Sequence, residues 1–94
     1  MVNAIVLMNA ERGRVAAVAE QVAAVPGVSE VFSVAGRVDL VAMIRVSTNE
    51  ELADVVTKHF AALQGIEHTE TLIAFRVYSR EEIEGVFGIG LDRA

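Results

Sequence analysis

A few polar side chains in this sequence are placed where a small zwitterion could be held. Asp39 lies three residues after the glycine of "VAGRVDLVAMIRV" (34–46), and Thr69 and Thr71 alternate with Glu70 late in the chain, so that both hydroxyls face one side of a strand. A carboxylate takes an ammonium group, hydroxyl and backbone N–H donors take a carboxylate, and a glycine lets a ligand approach the main chain closely. A plainer reading stands beside this one: threonine is favoured in strands, and an acid next to a turn is commonplace.

Other chemistries are poorly supplied. A metal centre needs three or four convergent ligands, and the two histidines, His59 and His68, read as solvated or core-edge side chains. No G-x-S-x-G elbow is present to carry a nucleophile. The "GIG" at 88–90 follows an acidic, helix-like stretch instead of a strand, so it lacks the setting of a dinucleotide loop. Glu81, Glu82 and Glu84 read as the solvated face of that short helix, with Ile83, Val86 and Phe87 on its packed side. The residues therefore predict no catalysis, no metal and no cofactor.

The elements that must position these side chains come as an internal repeat. Laying "VAAVPGVSEVFSV" (22–34) on "FAALQGIEHTETL" (60–72), an offset of 38 residues, matches Ala23 to Ala61, Ala24 to Ala62, Gly27 to Gly65 and Val28 to Ile66. Each copy reads as strand, helix, strand. In the first copy, "NAIVLMN" (3–9) is a strand and Val15, Val18, Val22 and Val25 make one helical stripe, which Pro26-Gly27 ends. In the second, "VDLVAMIRV" is a strand and "TNEE" (48–51) is a capping box. Leu52, Val55, Val56, Phe60 and Leu63 form the next buried stripe, Asp54 and Lys58 pair outside it, and "EHTETLIAFRVY" (67–78) is the last strand.

Two such halves joined by a tight Gly36-Arg37 turn of the two-residue kind predict an α+β fold: a ferredoxin-like βαββαβ sandwich, a four-stranded antiparallel sheet with two helices on one face. Residues 1–79 make this domain, and residues 80–94 a short helix and tail.

The chain has 94 residues, 53% of them hydrophobic, above the roughly 45–50% of an ordinary soluble domain. So small a protein cannot hide that surplus in its own core. The third strand is apolar on both faces, and two helices cover only one of them, so a second subunit is expected against the other. No run approaches the about 18–20 apolar residues of a membrane span. The opening stretch lacks the basic segment and cleavage site of a signal peptide, and cysteine is absent; a cytoplasmic protein is expected. Eight basic against thirteen acidic side chains give a net charge of −5, with the arginines scattered. That argues against direct nucleic-acid binding.

"VAGRVDLVAMIRV", a helix opening "STNEELADVV", and "LQGIEHTETLIAF" together resemble the effector (RAM) domain of the Lrp/AsnC feast/famine transcriptional regulators, whose pattern runs T-G-x-x-D-hydrophobic, helix, P-G-V-x-x-T-x-T. The likeness runs from about residue 3 to 79. It departs at Ala35, Arg37 and Gln64, where the pattern has threonine, often an acid, and proline. The resemblance implies dimers formed through the sheets, rings of dimers, and amino-acid effectors bound between subunits. It places the effector site on Gly36, Asp39, Thr69 and Thr71. It also implies a sensing module without its own helix-turn-helix, acting on a full-length Lrp/AsnC regulator by mixing subunits. Two alternatives share the fold: a dimeric α+β barrel enzyme of the monooxygenase type, and a ligand-free assembly partner.

Overall fold

The computed structural model describes residues 1–80. Four strands, β1 (Val2–Ala10), β2 (Val28–Ser33), β3 (Leu40–Val46) and β4 (Ile66–Ile73), form one sheet in the order β2-β3-β1-β4, every neighbouring pair antiparallel. Helix α1 (Val15–Ala23) joins β1 to β2, and α2 (Asn49–Asp54) begins the connection from β3 to β4. This is the expected ferredoxin-like sandwich.

The core forms because alternation in the strands meets the helical stripes. Ala4, Val6, Met8 and Ala10 of β1 and Leu40, Ala42, Ile44 and Val46 of β3 are buried on one face. Against them pack Val18 and Val22 of α1, Val25, Leu52, Val55 and Phe60. The second helical connection does not stay α-helical: Val55–His59 is a π turn and Phe60–Ala62 a 3-10 turn. The widened turn carries the buried side chains from Val55 to Phe60 while His59 stays exposed. Thr57 Oγ1 donates to Ala53 O at 2.6 Å in the same turn, the kind of local bond that competes with the regular ladder.

Each helical connection ends on a left-handed glycine. Gly27 has φ +97° and Gly65 φ +96°. A Cβ at Gly27 would lie 2.8 Å from Val46 Cγ1 and 3.3 Å from Val55 Cγ2, and one at Gly65 would lie 2.9 Å from Val18 Cγ2. The end of each helical connection thus touches the other repeat, which is how the two halves interlock. At the start of α2, Thr48 Oγ1 accepts from Glu51 N at 3.1 Å. The Glu51 carboxylate returns not to Thr48 N but to Ser47 N, at 3.4 Å. Lys58 and Asp54 pair at 3.4 Å as expected.

Two readings of the sequence are corrected. The link between β2 and β3 is not a two-residue turn: residues 34–39 lie between the strands, closed by Val34 N donating to Asp39 O at 3.0 Å. The last strand ends at Ile73 instead of Tyr78: its pairing with β1 closes at Ala4–Ile73, and Ala74 N makes a final bond to Asn3 O at 2.9 Å. Phe75, Val77 and Tyr78 keep strand-type chemistry but lie outside the strands, and Phe75 is fully exposed. The acidic helix and tail read beyond Arg80 lie outside the described residues. No helix among the described residues is long and apolar enough to cross a membrane.

Candidate functional site

Asp39 is bound to its surroundings three ways by the geometry of the 34–39 connection. Its N–H donates to Met8 O (2.9 Å), its carbonyl closes the loop onto Val34, and its Oδ2 accepts from Ala10 N at 2.9 Å. Ala10 sits where β1 slips register against β4, between the pairs Asn9–His68 and Ala10–Ile66. A bulge disturbs the ladder, and the carboxylate supplies an acceptor there. Asp39 is half-buried, and its other oxygen has no hydrogen bond among the described residues. An acid at the start of an apolar strand therefore has a structural use: one oxygen caps β1, and the other is left open.

Gly36 stands at the exposed tip of the connection, and a Cβ there would meet nothing within 4 Å. The main chain is open to approach. The tip is held by contacts that the sequence did not reveal. Asn9 Nδ2 donates to Arg37 O at 3.1 Å, and Arg37 Nη1 lies 3.9 Å from Glu70 Oε1. Arg37 thereby spans β1 to reach β4. Each residue was visible, Arg37 beside the glycine and Glu70 between two threonines, but nothing in either stretch links them.

Thr69 and Thr71 pair with Met8 and Val6 in register, so they lie on the helix face, while Glu70 lies on the other. Both threonines are half-buried, and neither hydroxyl has a partner among the described residues. Thr69 lines a surface cavity of about 260 Å³ with Val56, Phe60, Leu63 and His68. The two hydroxyls share a side of the sheet, but the four predicted residues are not gathered into one pocket. Gly36 and Asp39 belong to the β2–β3 connection, and strand β1 separates them from β4.

The sheet's other face carries Ile5, Leu7, Val41 and Met43, half-buried, with Phe32 and Leu72 beside them, exposed by 47% and 44%. No described element covers it. Between sheet and helices the fully buried side chains are all apolar among the described residues, and Thr69 and Thr71 reach that side only at the β4 edge, half-buried.

A family model described as the Lrp/AsnC ligand binding domain matches residues 3–83. An uncharacterised helix-turn-helix transcriptional regulator of Pyrococcus horikoshii is 42% identical over 66 residues, covering 70% of this chain and 43% of the regulator. One from Pyrococcus furiosus is 39% identical over the same length, with the same coverage. The chain thus spans less than half the length of these curated relatives. Among solved structures, TTHA0845 of Thermus thermophilus superposes with a TM-score of 0.80 at 50% identity, covering 85% of this chain and 100% of that one. AsnC of E. coli superposes at 0.77 with 15% identity, covering 83% of this chain and 53% of that one, a likeness of fold. With motif, topology and these matches in agreement, the chain belongs to the Lrp/AsnC family of transcriptional regulators, as a ligand-binding domain of that family.

Proposed function

We propose that this domain senses an amino acid or a closely related metabolite at a site completed between copies of the chain, and acts on transcription without catalysis, through a full-length regulator. The observation that carries this reading is the half-used carboxylate of Asp39: one oxygen is fixed by Ala10 N and the other is open, beside the accessible backbone of Gly36. An ammonium group suits that oxygen. The ligand's carboxylate suits the unpartnered hydroxyls of Thr69 and Thr71, and since β1 keeps these apart from Asp39 within one chain, they come from a neighbouring copy. A regulator of Neisseria meningitidis that shares the fold was solved as a complex with L-Met, which makes amino acids the first panel to test.

The domain's own association is assigned to the uncovered sheet face, where Ile5, Leu7, Val41 and Met43 would pack against the same residues of a partner, with further association into rings of dimers. An isologous contact of this kind closes on itself. The enzyme reading has less support, because the fully buried side chains between sheet and helices are all apolar among the described residues. A ligand-free assembly would pair Asp39 with Arg45 or Arg37 between subunits; Arg37 instead meets Glu70, and Arg45 meets Asn3, within the chain.

The test is thermal unfolding against the twenty amino acids. A ligand present at 100 times its dissociation constant adds about 2.7 kcal/mol per site, so a dose-dependent rise with one or a few of them is expected. Asp39→Asn keeps an acceptor for Ala10 N and removes the negative charge, so it should fold normally and lose most of that rise. An undiminished response in Asp39→Asn rejects the site.

A further inference from the structure

The sheet has two outer strands, β2 and β4, and neither has a second neighbour among the described residues. An open edge presents unpaired N–H and C=O groups and is a template for a further strand. Strand β2 has six residues, a register shift between Val28 and Glu30, and a single charge. Strand β4 is longer, its register shift lies at its start, and it holds neither the proline nor the lysine that commonly blocks an edge. Which of its main-chain groups are open follows from one bond. Ala74 N donates to Asn3 O, and in an antiparallel ladder bonded and unbonded pairs alternate. His68, Glu70 and Leu72, opposite Asn9, Leu7 and Ile5, therefore turn their main-chain groups to β1. Thr69, Thr71 and Ile73 turn theirs outward.

We propose that this edge docks the same edge of a second copy, the two β4 strands running antiparallel about a two-fold axis at Thr69. Only registers that set outward residues against outward residues can bond. With Thr69 opposite Thr69, the His68 of each chain faces the Glu70 of the other. Thr69 opposite Thr71 would instead set Glu70 against Glu70, and Thr69 opposite Glu67 would set His68 against His68. Charge therefore selects the first register. Unbonded pairs hold their Cα atoms about 4.5 Å apart, close enough for an imidazole N–H to donate to a carboxylate. His68 and Glu70 are both exposed, and Arg37 lies 3.9 Å from Oε1 of Glu70, which leaves Oε2 to accept. A single strand pair buries less than the roughly 1,200 Å² of a stable interface. It holds two isolated chains loosely and reinforces copies already packed through their sheet faces, where two such edges act together. The pairing groups belong to an edge, so the contact does not rest on the sheet-face reading.

The chain has no cysteine, so single cysteines report the contact without background. Thr69→Cys places two thiols across the axis, with Cα atoms about 5.5 Å apart, within the span of a disulfide. Incubation with oxidised glutathione should convert most of this variant to a two-chain species on a gel run without reductant. In Thr71→Cys the two thiols lie four residues apart along the strands, about 13 Å at about 3.3 Å per residue, and the chains should stay mainly single. His68→Glu added to Thr69→Cys sets acid against acid and should slow crosslinking severalfold. Glu70→Lys added to both should restore it. Met43→Glu, directed at the sheet face, should still permit the crosslink, so failure of that contact and failure of the edge are read separately. The proposal is overturned by no crosslink in Thr69→Cys, by equal crosslinking in Thr69→Cys and Thr71→Cys, by indifference to His68→Glu, or by no recovery with Glu70→Lys.

Discussion

Asp39 carries two demands at once, and they separate by substitution. Asp39→Ala leaves the Ala10 N–H, part-buried at the end of β1, without its acceptor. Leaving such a group unpaired costs about 1–3 kcal/mol; a loss of that size in urea unfolding is expected for Asp39→Ala, and a much smaller change for Asp39→Asn. An equal loss in both variants would mean that the charge, and not the bond, supports the fold. The sequence showed Asp39 as a candidate because an acid interrupts an apolar run, and it showed the threonines because they alternate. It did not show Ala10 as a partner, because that contact joins residues 29 apart and depends on a register slip in a different strand pair. The same distance in sequence hid the reach of Arg37 to Glu70.

At the scale of elements, most of the architecture was legible, since strand alternation, helical stripes and the 38-residue repeat all pointed to one arrangement. The exceptions have local causes. The π turn at Val55–His59 was not signalled, because the stripe Leu52, Val55, Val56, Phe60 and Leu63 also suits a regular α-helix, with Val56 to Phe60 a four-residue step. The strand limit at Ile73 was not signalled, because the residues that follow, through Tyr78, keep strand-type chemistry. The paired glycines yield the sharpest prediction here. Gly27→Ala and Gly65→Ala should each destabilise the fold by about 2–4 kcal/mol, combining a left-handed backbone with overpacking against valines of the other repeat. Equilibrium unfolding checks this, and a loss below about 1 kcal/mol would show that the valines yield easily.

For the whole molecule, the decisive surface is the face of the sheet opposite the helices. Met43→Glu places a charge in the middle of the proposed sheet-to-sheet contact, while the core side of β3 is untouched. Sedimentation should report a single chain for this variant and a multiple of it for the unmodified protein, with circular dichroism unchanged between them. A single chain in both would leave the apolar face to some other partner and remove the subunit-bridging site with it. The strand order has its own consequence for synthesis. Strand β1 is a central one, and it leaves the ribosome before both of its neighbours, β3 and β4. Until Ile66–Ile73 emerges, one edge of β1 has no strand to bind. Such non-local pairing folds slowly and leaves apolar strand edges open meanwhile. The nascent domain therefore completes its sheet only after its last strand is made, and Val2–Ala10 is the segment that waits longest for cover, the one a chaperone would hold.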